Sequence, residues 1–148
     1  WDYKITFFDS SGIESTSMPD SSLIVGQREI LGKKWFVFSN GGLAANDSGG
    51  HRVGYPYAPS VNIAYKFPAV VGEQFHALES TLPTRVIALD TLIEVPAGKF
   101  RCYRYDYGRD RTFLSPGIGL VRLEAFTPWR NASLLWFRKD LVRLEIKD

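Results

Sequence analysis

Residues 86–126 read VIALDTLIEVPAGKFRCYRYDYGRDRTFLSPGIGLVRLEAF, and this stretch decides the fold. Val86, Ile87, Leu89, Leu92, Ile93 and Val95 form a β-branched and aliphatic run that suits a pleated, half-buried strand. Pro96-Ala97-Gly98 follows. Proline presets φ for the second residue of a turn, and glycine accepts the positive φ that closes a turn with a bulge. Val95 to Lys99 therefore reads as a hairpin connection, and the returning strand runs from Phe100 to Tyr107. Its alternation is unusual. Arg101, Tyr103, Tyr105 and Tyr107 share one face, while Phe100, Cys102, Arg104 and Asp106 share the other, so neither face is cleanly apolar beyond Cys102. Gly108-Arg109-Asp110 is a turn signal, Thr112-Phe113-Leu114 extends again, and Ser115-Pro116-Gly117 breaks the run. Ile118 to Phe126 is a strand with Val121, Leu123 and Ala125 on one face.

Working outward, Trp1, Tyr3, Ile5 and Phe7 alternate with Asp2, Lys4 and Thr6, the pattern of a strand with one buried face. Gly12 to Ser22 is polar and reads as a short strand ending in a loop at Met18-Pro19-Asp20. Leu23 to Leu31 and Trp35 to Phe38 flank Gly32-Lys33-Lys34 as a hairpin. Residues 40–59 hold two glycine pairs and Tyr55-Pro56-Tyr57-Ala58-Pro59, and read as a long loop with one short strand near His51 to Gly54. Val61 to Phe67 and Glu73 to Leu82 read as strands. Toward the C-terminus the expectation is a turn at 127–131, a strand from Ser133 to Phe137, a tight turn at Arg138-Lys139-Asp140 and a last strand from Leu141 to Ile146. Leu120-Val121-Arg122-Leu123-Glu124 recurs as Leu141-Val142-Arg143-Leu144-Glu145. Chance in strand-like composition accounts for the echo; the alternative is two strands with similar faces in one meander.

No amphipathic helix is evident. The expected fold is all-β: one domain over residues 1–148, an antiparallel meander of about eight to ten strands. Such a sheet curls into a barrel, a half-barrel or a sandwich to hide its edges. With 148 residues, 45% of them hydrophobic and 14% aromatic, the chain is long and apolar enough to bury a core without staples. A net charge of +2 is close to neutral and does not point to nucleic acid, which asks for a concentrated basic face. The single cysteine excludes an intrachain disulfide. No apolar run is long enough for a transmembrane helix. The chain begins at Trp1 rather than methionine, for which a processed or trimmed N-terminus that would hide any export signal is the simple explanation.

Val95-Pro96-Ala97-Gly98-Lys99-Phe100 followed by Ser115-Pro116-Gly117-Ile118-Gly119-Leu120-Val121 resembles a widespread group of uncharacterised bacterial envelope domains. Their pattern is VPAG, any residue and Phe, then a strand, then a segment ending in APG, Val or Ile, and GLV. Phe67-Pro68-Ala69-Val70-Val71-Gly72-Glu73-Gln74-Phe75 is similar to an upstream segment of that group. The match spans roughly Lys66 to Val121. Ser115 stands where alanine is common and Phe75 where tryptophan is common. The resemblance implies an antiparallel β domain exported beyond the cytoplasm, in the periplasm, at the outer membrane or on the cell surface. It also implies an N-terminal lipid anchor outside this chain in many members. It implies no activity and no cofactor.

Candidate sites were weighed against plain structural roles. His51, His76 and Cys102 lack the spacing of a zinc site, so no metal is expected. Cys102 reads as a small buried thiol rather than a nucleophile. No GxSxG elbow occurs, and Asp90, Glu94, Asp106 and Asp110 have arginine neighbours that read as ion-pair partners. The face carrying Arg101, Tyr103, Tyr105 and Tyr107 is the strongest binding candidate, because tyrosine and arginine combine large area with polar handles. Cross-strand packing explains the same residues. Tyr55 and Tyr57, in the 40–59 segment, are further candidates for lining a sheet opening.

The expected function is therefore a non-enzymatic, extracytoplasmic binding module of the cell envelope, contacting an envelope protein, a glycan or a lipid. The alternative is a carrier of a lipid or other apolar molecule in a barrel-like cavity. Trp35-Phe36-Val37-Phe38 and Leu134-Leu135-Trp136-Phe137, apolar on both faces, keep that alternative open.

Overall fold

Every strand pairing is antiparallel, and the 86–126 stretch supplies the middle of the larger of two sheets. The computed structural model describes residues 1–54, 63–77, 81–126 and 134–145. Within them lie β1 (Asp2–Phe8), β2 (Glu14–Ser21), β3 (Ile24–Ile30), β4 (Lys33–Phe38), β5 (Leu43–Asp47), β6 (Gly50–Gly54) and β7 (Ile63–Tyr65). They are followed by β8 (Gln74–Phe75), β9 (Thr84–Val95), β10 (Gly98–Tyr107), β11 (Asp110–Ser115), β12 (Gly119–Phe126) and β13 (Leu135–Arg143). The larger sheet runs β2-β1-β13-β12-β11-β10-β9-β8, and the smaller runs β3-β4-β5-β6-β7. The all-β antiparallel expectation holds, and neither sheet closes into a barrel.

The β9–β10 hairpin is built as its sequence demands. Val95 pairs with Gly98 across Pro96-Ala97, and Gly98 has φ +133°. Two register shifts near Arg104 bend the long pair. Its tip then returns onto the far side of the same sheet. The Ala97 N–H donates to the Leu141 carbonyl (3.2 Å), and Arg122 Nη2 donates to the Glu94 carbonyl (3.0 Å). The curl buries Ile93, Val95, Cys102, Phe113, Val121, Leu141 and Tyr3 as one cluster.

A second cluster joins the sheets. Val86, Leu114 and Tyr105 of the large sheet, with Phe75 on its edge strand β8, pack with Tyr65 of β7 and with Phe67 and Ala69 in the segment that follows β7. A third, Trp35, Leu43 and Ala45, fills the small sheet.

One register row carries Arg104, Phe113, Arg122, Asp140, Lys4 and Pro19 across six strands. The next carries Asp106, Arg111, Glu124, Arg138, Thr6 and Ser17. Arg104 pairs with Asp106 (2.7 Å), Arg111 with Glu124 (3.6 Å), and Arg122 and Arg138 both hold Asp140 (2.6 and 2.7 Å). Asp140 is buried, so its charge depends on these two guanidinium groups.

Four expectations are corrected. Arg138-Lys139-Asp140 is no turn. It lies inside the continuous strand β13, where alternate charged side chains are rungs of this ion-pair ladder. Residues 43–47 are strand rather than loop: they form β5, with Ala44 and Ala45 buried, and Ser48-Gly49 connects them to β6, the short strand expected near His51 to Gly54. Met18-Pro19-Asp20 is not loop but part of β2, where proline is tolerated because the strand is an edge. Of the strand expected over 73–82, Gln74–Phe75 is strand among the described residues, and 78–80 lie outside them. The sequence echo is out of phase: Val121 is fully buried, whereas its counterpart Val142 is exposed.

Gly50 is where the small sheet is pinned. Its φ is +137°, and a Cβ there would strike the Tyr65 carbonyl and come within 2.9 Å of Lys66 Cα. Gly50→Ala should lower the unfolding free energy in urea by about 2–4 kcal/mol. The same substitution at Gly26, which has open space around it, should cost far less.

Candidate binding surface

The structure divides the Arg101–Tyr107 face instead of presenting it. Tyr105 is 1% exposed. Its ring meets Tyr65 (5.3 Å), Phe67 (6.1 Å) and Phe75 (6.3 Å), and its hydroxyl donates to the Lys66 carbonyl at 2.7 Å. Burial, with Tyr103, Tyr65 and Glu73 nearby, pushes its phenol well above the ordinary range. Tyr103 is half-buried against Phe67 at 5.1 Å. Only the two ends of the row are exposed. Tyr107 faces solvent, and Arg101 Nη1 lies 2.6 Å from both carboxylate oxygens of Asp90. The inner tyrosines thus belong to the joint between the sheets. Tyr55 and Tyr57 lie outside the described residues.

Cys102 is fully buried, with Sγ 3.7 Å from the Phe100 carbonyl. Burial raises its thiol to about 11, against a smaller opposing pull from Arg122. It is protonated at neutral pH, and a thiol rather than a thiolate is a poor nucleophile. His51 is stacked on Tyr65, its Nδ1 lies 2.8 Å from Asn46 Oδ1, and burial lowers its pKa.

A concave surface lies elsewhere, at the β2 edge. An open groove of about 750 Å³ is lined by Asp2, Tyr3, Lys4, Ser17–Ser21 and Val142. The two charged register rows end in it: Lys4 and Pro19 close one, and Ser17 closes the other. Lys4 pairs with Glu14 at 3.2 Å, and both side chains stay about half exposed. Asp20 pairs with Lys139, whose Nζ sits 4.2 Å over the Tyr3 ring. Tyr3 is buried and donates to the Leu120 carbonyl at 3.3 Å; burial and Asp20 raise its phenol. The groove therefore offers a cation, carboxylates, two serine hydroxyls and the apolar groups of Met18, Pro19 and Val142. The sequence hides it, because Met18-Pro19-Asp20 reads as a loop. The usable signal was that a proline inside an extended polar run marks an edge strand.

No family model matches the chain, and no curated protein matches it. Among solved structures, the chain is similar to a candidate exported protein with a YmcC-like fold from Bacteroides fragilis NCTC 9343. The identity is 12%, the TM-score 0.56, and the match covers 98% of this chain and 95% of that one. At that identity the likeness is one of fold.

Tyr105→Phe should cost about 1–3 kcal/mol in denaturant unfolding, because it leaves the Lys66 carbonyl without its donor. Arg101→Ala should leave the denaturant midpoint nearly unchanged, as expected for an exposed ion pair. Cys102 should resist thiol reagents at neutral pH in the folded protein and react fully once unfolded in urea.

Proposed function

We propose that this chain is a non-enzymatic, extracytoplasmic binding module that receives its ligand in the β2-edge groove. The observation that carries the reading is the groove's mixed lining at the end of an ion-pair ladder. Ligand sites gain orientation from a few placed polar groups beside apolar area, and Lys4, Asp2, Ser17 and Ser21 beside Met18 and Val142 supply that combination. The outer edge of β2 has no strand partner among the described residues, so its backbone groups can also serve recognition. An extended envelope polypeptide or glycan fits such a strip. The extracytoplasmic assignment draws on the resemblance to bacterial envelope domains and on the fold shared with a candidate exported protein.

The carrier reading has one observation in its favour. Trp136 and Leu134 are exposed large apolar residues, and Phe7 packs on both Trp136 (6.0 Å) and Phe137 (6.2 Å). Native mass spectrometry of protein recovered from its own envelope, before and after solvent extraction, separates the two readings, because a carrier shows an extractable mass.

For the groove, a photo-crosslinking residue at Met18 should capture a ligand from envelope fractions, and one at the exposed but remote Leu92 should not. Lys4→Glu should cut capture roughly tenfold by reversing a charge in the lining. Equal labelling from both positions would refute the site.

A further inference from the structure

The β3–β4 hairpin carries a residue that neither packing nor turn chemistry asks for. Ile30 pairs with Lys33, so Leu31 and Gly32 form the whole connection. Their φ values are +51° and +70°. Two positive φ values define a type I′ turn, whose first position favours asparagine, aspartate or glycine because a Cβ there is strained. A leucine occupies it instead. At 85% exposure it is the most exposed of the large hydrophobic residues described. Backbone strain and a wetted aliphatic side chain thus coincide at one residue that does nothing for the core. Residues held in sparsely populated backbone regions persist where they serve a function.

The surroundings indicate what the tip meets. Val25 to Glu29 are all exposed, so the hairpin arm stands in solvent. Residues 28–34, REILGKK, hold three cations and one anion, a net +2 that equals the charge of the whole chain. Arg28 and Lys34 are exposed. Lys33 is paired with Asp47, and Glu29 lies opposite Lys34 across the hairpin, so the cationic character of the tip rests on Arg28 and Lys34. An apolar point inside a cationic collar matches an anionic bilayer, where lysine and arginine lie among headgroups while an aliphatic side chain reaches the acyl boundary. A pocket on a partner protein would accept a leucine but gives no reason for the collar.

We propose that the β3–β4 tip docks this chain on anionic membrane surfaces, with Leu31 entering the acyl region and Arg28 and Lys34 engaging lipid phosphates. One leucine and two or three cations make a weak, reversible contact, one that orients a protein at a surface rather than anchoring it.

The test is co-flotation of the full chain with phosphatidylcholine vesicles, with and without phosphatidylglycerol. The wild type should bind only the anionic vesicles and should release as salt rises. Leu31→Asn should lower the partition coefficient at least about tenfold, the scale expected for losing one buried aliphatic side chain. It should also raise the melting temperature, since asparagine relieves the strain at positive φ. Loss of binding with gain of stability cannot arise from misfolding. Leu31→Asp should behave alike, and Arg28→Glu with Lys34→Glu should abolish binding. Absence of binding to anionic vesicles at low salt would overturn the proposal. So would a Leu31→Asn variant that binds like the wild type, or a tip that crosslinks to a protein while vesicles stay bare.

Discussion

Tyr105 holds the two sheets together. Its phenol reaches the segment following β7 through the Lys66 carbonyl, and its ring is the common neighbour of Tyr65, Phe67 and Phe75. Each such aromatic contact is worth about 0.5–1.5 kcal/mol beyond area burial, and a satisfied buried hydroxyl adds directionality that apolar packing lacks. Glu73 pairs with Lys66 in the same segment, and the Gly72 N–H donates to the Val86 carbonyl (2.8 Å) beside it. The approach of the small sheet is therefore set by a hydrogen-bonded aromatic cluster. Gly50 lets β6 lie against the Tyr65–Lys66 backbone from the other side.

The second constraint is curl. The bulged β9–β10 pair returns its tip to β12 and β13, which buries Cys102 and Leu141 completely. A sheet that bends this far still shows both faces along each strand. The ladder of Arg104, Asp106, Arg111, Glu124, Arg122, Arg138 and Asp140 settles the remaining face with matched charges instead of apolar side chains. Directly opposed unlike charges favour the observed register over a slipped one, since a one-residue slip sends every side chain to the other face. At its far end the ladder runs out of strands, and Lys4, Ser17 and Pro19 are left facing the groove.

How much of this was legible differs with the kind of signal. The VPAGKF hairpin, the SPG break and the all-β class follow from turn chemistry and period-two patterning, which are local. The Tyr103–Tyr105 row was read correctly as one face, but what lies on a face is a long-range fact, and Phe67 covers this one from 36 residues upstream of Tyr103. Arg138-Lys139-Asp140 has turn-like polarity. Backbone pairing with β1 and β12 on either side, with Arg122 beside Asp140, makes it strand. Residues 43–47 look like loop because alanine and asparagine carry little strand propensity. Burial of Ala44 and Ala45 beneath a sheet is invisible until the sheet exists. The groove escaped notice for a related reason: it is a property of an edge, and edges are assigned by topology.

Where recognition can reside follows from what the core consumes. β9 to β12 each give residues to the buried clusters, so many of their side chains answer to packing. β2 and β3 bury almost nothing along their whole lengths. They follow one another in the chain, and each lies at the edge of a different sheet. The groove and the hairpin tip are thus two ends of one continuous, lightly packed segment, whose residues are free to answer to something outside the molecule. The joint between them is nonetheless held. The Ser22 N–H donates to the Trp1 carbonyl (2.8 Å), the Trp1 ammonium donates to the Ser22 carbonyl (3.0 Å), and the Trp1 indole N–H donates to the Ile118 carbonyl (2.7 Å). Trp1 therefore ties this segment to the β12 end of the large sheet, and the two surfaces can act as a unit without drawing on core stability.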